Sequence, residues 1–555
     1  MEEEKEVRMF CYQCEQTAQG TGCTVQGVCG KDPTTATLQD LLVYAVKGVA
    51  QYARRLRGLG IVEPEINLFT VEALFSTITN VDFDPERLQG LLRRAGELLV
   101  RARRMYEEVC RQKGLKPEKL TGPAQWQPES TVAGLVQQGK DVGILVRHKR
   151  FGDEKADLMD LILFGLKGAA AYTDHAAILG KEDDEIYARF HELLDYLSGE
   201  EFTTAELLAR ALAVGELNLK VTRLLDEANS FAYGDPVPTR VRVTPVRGRA
   251  ICVSGHDLRD LAELLEQTKN KGINIYTHGE MLPAHGYPRL KSYRHLVANY
   301  GSAWQNQQKE FPLFPGSILM TTNCIQRPQE SYKERIFTSG LVAWPGVRHV
   351  QRQDFSPLIE AALAQPGFTA EGADHYITVG FGRNTLLSKV PEITEMIQTQ
   401  RLRHIFLIGG CDGAKPGRNY YTQFALGVPA DCLILTVACG KYRFNKLDFG
   451  EIGGLPRLWD VGQCNDSYAA IEFVLALSGS LGVAPNDLPL SLVLSWYEQK
   501  AVAVLLTLLY LGIRDIRLGP SLPAFLTPGL IETLIDRFNL HPITTPKEDL
   551  KAILD

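Results

Sequence analysis

The sequence carries no excess of positive charge: 60 lysines and arginines stand against 66 acidic residues, a formal net charge of −6. That balance argues against a general nucleic-acid binder. Long hydrophobic runs are missing too. The longest, Ala501 to Leu511, is too short to cross a bilayer, so no membrane partner is expected. The opening MEEEKEVRMF lacks the basic and apolar segments of an export signal. A complete dinucleotide fingerprint is absent as well. HYITVGFGRNTLLSK places Gly380 and Gly382 after a strand, without the third glycine or the acidic ribose partner. No nucleotide cofactor is expected.

Cysteine is sparse and uneven. There are 11 in 555 residues, an odd count that does not suit a disulfide scaffold. Without an export signal it points to a reducing, cytoplasmic compartment, where clustered thiols suggest metal or redox chemistry. Four of them crowd between Cys11 and Cys29 and the rest are scattered, which suggests two different sites. The chain is also too long for one core, and roughly two to four domains are expected.

The first cluster of thiols lies in FCYQCEQTAQGTGCTVQGVCG, where Cys11, Cys14, Cys23 and Cys29 are spaced C-x2-C-x8-C-x5-C. Four thiolates on a short glycine-rich loop can converge on a structural zinc or a cubane iron–sulfur cluster. Zinc sites more often show two C-x2-C pairs, so the wider spacings lean towards [4Fe–4S].

Helical patterns follow over 38–59, 85–113, 158–179, 184–197 and 204–227, and they contain a repeat. LQDLLVYAVKGVAQYARRLRGLG (38–60) aligns with LMDLILFGLKGAAAYTDHAAILG (158–180) at an offset of 120. Phe83 and Gly96-Glu97-Leu98 match Phe202 and Gly215-Glu216-Leu217 at 119. Two tandem helical bundles acting as a scaffold are expected. His148, His175 and His191 read as surface or satisfied histidines. Ser230–Arg249, rich in Pro, Gly and β-branched residues, reads as an interdomain linker.

Beyond it strands and helices alternate, the signature of α/β domains with mostly parallel sheets. A metal-ligand residue type follows one apolar strand after another. His256 follows AICVSG, and Glu280 follows INIYTHG with His278 and His285 flanking it. Cys324 follows GSILMTTN, Cys411 follows RHIFLIGG, and Cys439 follows DCLILTVA. Cys464 follows RLWDVGQ, and Glu498 follows SLVLSWY at a helix start, with Lys500 just beyond. Each has a bland explanation, since strand-end cysteines are usually small hydrophobes and glutamates favour helix N-termini. Parallel strands, however, would bring all seven to one rim. Four thiolates, an imidazole and two carboxylates are too many for one zinc, and suit a multinuclear iron cluster with sulfur and oxygen bridges. Cys252 and Cys432 inside strands, and Cys110 inside a helix, read as structural.

The strings FCYQCEQTAQGTGC, GGCDGAKPGRNYY, ACGKYRFN, VGQCND and SWYEQKA resemble the hybrid-cluster (prismane, hydroxylamine reductase) proteins, over essentially the whole length. The resemblance implies a multidomain α and α/β fold. A helical domain of two three-helix bundles (1–234) precedes two Rossmann-like domains (235–370 and 371–555). It assigns Cys11, Cys14, Cys23 and Cys29 to a [4Fe–4S] cluster. It assigns His256, Glu280, Cys324, Cys411, Cys439, Cys464 and Glu498 to a hybrid [4Fe–2S–2O]-type cluster, with Cys411 as the persulfide carrier. The implied reaction is reduction of hydroxylamine to ammonia and water with two electrons and two protons, and nitric oxide reduction to nitrous oxide is a proposed physiological role. Glu280 or Glu498 swinging off iron would open the site, and Lys500 or His278 would supply protons. A redox-protein donor and a monomer are expected. The competing readings are a carbon monoxide dehydrogenase-like enzyme, a nitric oxide sensor or S-nitrosylating protein, and a zinc-stabilised scaffold.

Overall fold

The computed structural model describes residues 9–555; the acidic stretch from Met1 to Arg8 lies outside them. The chain first builds eight helices: α1 (Pro33–Gly58), α2 (Pro64–Ser76), α3 (Pro85–Gln112), α4 (Val132–Lys140), α5 (Ile144–Phe151), α6 (Asp153–Ile178), α7 (Asp184–Tyr196) and α8 (Thr204–Tyr233). Their starts are written locally. Asp32 accepts from Thr35 N ahead of Pro33, Asp84 caps α3 ahead of Pro85, and Thr203 forms a capping box with Glu206. Each satisfies N–H groups that a helix start leaves unpaired.

The repeat is real in space, with α1–α3 matching α6–α8. The copies are interleaved, however. α1 pairs with α3 and α6 with α8, while α7 packs chiefly against α1 and α2 against α6. Each three-helix group therefore borrows its middle helix from the other copy. Two matched glycines let a partner backbone close in. A Cβ on Gly48 would lie 2.2 Å from Pro123 O, and one on Gly168 would lie 2.3 Å from Gln499 O. The first copy thus seats the turn Gly122–Gln125, while the second seats the helix Gln499–Tyr510, which lies against α6 and α8.

The segment expected to be a linker is partly ordered structure. α8 continues to Tyr233, and β1 (Thr239–Arg242) pairs antiparallel with a distant strand, Tyr376–Val379. β1 could not be read as a strand because its partner lies so far along the chain. The first sheet holds β2 (Arg249–Ser254), β3 (Ile273–His278), β4 (Leu296–Asn299), β5 (Ser317–Met320), β6 (Ile336–Thr338) and β7 (Arg348–His349), in the order β4-β3-β2-β5-β6-β7. After β8 (Tyr376–Val379), the partner of β1, come β9 (His404–Gly410), β10 (Cys432–Val437), the short hairpin β11 (Glu451–Ile452) and β12 (Leu455–Pro456), β13 (Leu458–Gly462), β14 (Leu490–Ser495), β15 (Arg517–Gly519) and β16 (His541–Pro542). The second sheet has the order β13-β10-β9-β14-β15-β16. Every pairing within both six-stranded sheets is parallel.

The multidomain α and α/β architecture expected from the sequence stands. The single rim does not. His256, Glu280 and Cys324 follow β2, β3 and β5 of the first sheet, whereas Cys411, Cys439, Cys464 and Glu498 follow β9, β10, β13 and β14 of the second. Two carboxyl-terminal edges face each other, the position where open α/β sheets bind ligands. Among the described residues no helix is long and apolar enough to cross a membrane.

Candidate metal centres

The amino-terminal loop folds back on itself. Cys11 and Cys23 exchange backbone hydrogen bonds (Cys11 N to Cys23 O 3.0 Å, Cys23 N to Cys11 O 2.8 Å). Ala18 N donates to Cys23 Sγ at 3.3 Å. Burial pushes the Cys14 thiol well up, and the neighbouring Cys29, Cys11 and Cys23 push it further. Burial also raises Cys11, against the pull of the buried Lys31 ammonium. The four thiols come from one folded loop, with Cys14 and Cys23 buried and Cys11 and Cys29 half-buried. Thiols raised in this way, as Cys11 and Cys14 are, give up their protons to a bound metal.

The second centre lies between the two sheets. Ligand atoms of His256, Glu280 and Cys464, from opposite sheets, lie within 4.8 Å of one another. His256 Nδ1 faces Thr322 Oγ1 at 3.1 Å, which leaves Nε2 directed at Glu280 Oε2 (3.8 Å) and Lys500 Nζ (3.1 Å). Burial, then Lys500, lowers the ring's pKa well below its ordinary value, so it stays in the neutral form that ligates metals. Glu280 Oε2 accepts from Cys464 N at 2.8 Å, while Oε1 is buried with no hydrogen-bond partner. An orphaned carboxylate oxygen among thiols is the donor expected at a metal edge.

Cys324 and Cys439 are buried, and desolvation raises both thiols well above their usual value. Burial pushes Cys411 up to about 12 and raises Cys464 too. Cys324 itself takes φ 76°, and Ala438, just before Cys439, takes φ 67°. Left-handed non-glycine residues cost roughly 1–3 kcal/mol each and gather where function fixes the backbone. Glu498 caps the helix Gln499–Tyr510 by accepting from Lys500 N at 2.9 Å. Lys500 does not face solvent. It is buried, with Nζ 3.0 Å from Asn323 Oδ1 and 3.7 Å from Glu498 Oε1. Burial opposes its charge, but Cys464, Glu498 and Cys324 outweigh that and raise its pKa.

His278 is otherwise engaged. Its ring bonds Ser254 Oγ (3.0 Å) and Glu310 Oε2 (2.9 Å), so both nitrogens have partners away from the centre. His191 is satisfied by Arg57 and Thr70, and His148 by Tyr12 and Asp153. His175 departs from expectation: it is buried with Nε2 unpaired.

The two centres adjoin. Cys14, Trp304, Cys324, Cys439 and Tyr497 form one packed cluster, with Trp304 and Tyr497 ring centroids 4.4 Å apart. An apolar cavity of about 140 Å³ runs from the exposed residues Asn486, Arg514 and Asp515 to Cys411, Cys464 and Tyr172.

The sequence profile of the Prismane/CO dehydrogenase family matches residues 9–551. The chain belongs to that family. Within it, the hydroxylamine reductase of Syntrophobacter fumaroxidans is 56% identical over 546 residues, spanning 98% of this chain and 100% of that protein. The hydroxylamine reductase of Geobacter sulfurreducens is 53% identical over 549 residues, spanning 98% and 99%. Carbon monoxide dehydrogenase IV from Carboxydothermus hydrogenoformans superposes with a TM-score of 0.55 at 15% identity, covering 96% of this chain and 88% of that one. That is a likeness of fold.

Several groups of this Prismane/CO dehydrogenase family chain escaped the sequence reading. Asn323 bridges Lys500 and Glu498, and Gln463 Nε2 donates to Glu280 O at 2.6 Å and His256 O at 3.2 Å. Both adjoin candidate ligands, at Cys324 and Cys464, and that adjacency was the available signal. Tyr172 comes from α6, and only its match to Tyr52 in the repeat marked it.

Proposed function

We propose that the chain is an iron–sulfur hydroxylamine reductase with two centres. Cys11, Cys14, Cys23 and Cys29 hold a [4Fe–4S] cluster that relays electrons. His256, Glu280, Cys324, Cys411, Cys439, Cys464 and Glu498 hold a hybrid cluster of the [4Fe–2S–2O] type, with Cys411 as the persulfide carrier by family resemblance. The helical domain (1–234) acts as scaffold, and the domains 235–370 and 371–555 each supply one edge of the second site. The observation that carries this reading is the convergence of an imidazole, a carboxylate and a thiol within 4.8 Å from two separate sheets.

When bound there, such a cluster supplies reducing equivalents and an exchangeable coordination position. The chain's residues do the rest. Glu280, with one oxygen on Cys464 N and one free, and Glu498, tied to Lys500 N, are the carboxylates placed to shift and admit substrate. Lys500, held between His256 and Asn323, presents protons beside them. The apolar cavity admits small, weakly polar molecules and limits bulk water. Its lining favours nitric oxide as a second substrate. Electrons arrive from a redox protein, and the chain works as a cytoplasmic monomer.

The test is metal analysis with turnover. Anaerobically purified protein should be brown, hold about eight irons per chain, and reduce hydroxylamine to ammonia with nitric oxide assayed alongside. Stoichiometric zinc without iron would overturn the cluster reading. Nickel with carbon monoxide oxidation would move it to the dehydrogenase branch, and nitric oxide binding without turnover would make it a sensor.

A further inference from the structure

Tyr172 is fully buried, and its hydroxyl has no nitrogen or oxygen hydrogen-bond partner; the one polar side chain within its reach is the weakly bonding Cys464 thiol. Buried phenols usually find a hydrogen-bond partner, and leaving the group unpaired costs roughly 1–3 kcal/mol. The residue lines the inner end of the apolar cavity beside Cys411 and Cys464, and Glu498 lies in the same surroundings.

Its position follows from the helix that carries it. α6 presses on the turn after Glu498, where Gly168 leaves no room for a Cβ against Gln499 O. Tyr172 is four residues on, and therefore on the same face of α6. The matched residue in the first copy, Tyr52, instead meets Tyr106, with ring centroids 6.1 Å apart. Of the two equivalent tyrosines, only Tyr172 is brought to the second centre, where it is fully buried.

We propose that Tyr172 is a catalytic hydrogen-bond donor, its hydroxyl binding the oxygen of hydroxylamine at the inner end of the cavity. The proposal rests on the assignment of the second centre given above. In NH2OH + 2e− + 2H+ → NH3 + H2O the N–O bond breaks and the oxygen leaves as water. The electrons come from the redox partner, the two protons come through Lys500, which solvent reprotonates, and Tyr172 keeps its own proton. A donor fixed at the departing oxygen, in a site that limits water, stabilises the charge that develops there. Removing one such donor typically costs about 10²–10³ in kcat.

The experiment uses the iron-loaded full chain and Tyr172→Phe. Iron content and the resting EPR signals should match the wild type, while hydroxylamine kcat falls at least about tenfold and KM changes less. With hydroxylamine bound, wild-type electron–nuclear double resonance should show a proton coupling that vanishes in D2O and is missing in Tyr172→Phe. Tyr52→Phe should change none of these. Unchanged turnover, or a retained exchangeable coupling, overturns the proposal. A shifted midpoint potential of the second centre with unchanged kcat also overturns it, by giving the hydroxyl to the Cys464 sulfur. If Tyr172→Phe fails to assemble its clusters, 3-fluorotyrosine placed at 172 keeps the hydroxyl. Its fluorine coupling should then change when hydroxylamine is added, and no change overturns the proposal. Wild-type protein without iron or turnover would defeat the underlying function instead, before any variant is made.

Discussion

Glu15 and Arg418 form an ion pair closed to solvent, with Oε2 and Nη2 2.8 Å apart and side-chain exposures of 0% and 1%. Glu15 follows Cys14. Arg418 lies in the loop after Cys411 and also donates to Cys411 O (3.2 Å), Ser495 Oγ (2.5 Å) and Trp496 O (3.0 Å). Glu15 N donates to Tyr497 O at 2.9 Å. One buried pair thus clasps the first-centre loop to two strand ends of the second.

Replacing Arg418 by Met should therefore destabilise the protein sharply. Losing one partner of a buried pair typically costs about 3–5 kcal/mol, because the other charge stays behind unpaired. Lys415 Nζ, 3.5 Å from Glu15 Oε1 and a third exposed, offsets part of this. Glu15→Gln keeps a hydrogen-bonding group opposite Arg418 and should lose less. Thermal unfolding at matched iron content measures both. An Arg418→Met midpoint equal to wild type would mean that the pair contributes nothing to holding the centres together.

His191 predicts an acid limb to stability. Burial, then the Arg57 charge, lowers its pKa from the ordinary 6.5 to about 3. As pH falls from about 6.5 towards 3, the unfolded chain takes up a proton that the folded chain refuses. The stability due to the neutral buried ring is full above pH 6.5 and is lost through that window, at up to about 1.4 kcal/mol per pH unit. His191→Gln removes the titration. Its stability should fall less steeply than wild type between pH 6.5 and 4.5, measured by denaturant unfolding. Parallel slopes would rule His191 out as a source of acid sensitivity.

The seven strand-end residues were legible because a ligand-type residue after a short apolar run is a local pattern. So were the four cysteines between Cys11 and Cys29. Strand order is a tertiary property, which is why a single rim was expected where two sheets meet edge to edge. The exchange of α2 and α7 between copies was hidden for the same reason, since both arrangements bury the same amphipathic faces. Asn323, Tyr172 and the Glu15–Arg418 pair went unread because a buried polar group declares itself only through its partner, and those partners come from other parts of the fold.

Glu498→Gln separates the two centres. Gln keeps the shape and can still accept from Lys500 N, but it removes the carboxylate charge beside Lys500 Nζ. Hydroxylamine turnover should drop by at least about tenfold, within the range for losing a positioned acid–base or ligand group. The EPR signal of the amino-terminal centre should be unaltered. Wild-type turnover would take Glu498 out of the site.

The repeat supplies an internal control for the contact between α6 and the Glu498 turn. Gly48→Ala and Gly168→Ala force the same methyl group to within 2.2 and 2.3 Å of a carbonyl oxygen, Pro123 O and Gln499 O respectively. Ala is the better helix former by about 1 kcal/mol, but overpacking of this kind typically costs 1–3 kcal/mol or more. Both variants should unfold at lower temperature. Only Gly168→Ala pushes on the residue next to Glu498, so only it should also slow hydroxylamine turnover per iron. If the two variants slow turnover equally, the effect is general loosening of the helical scaffold, and the second copy has no special hold on the catalytic turn.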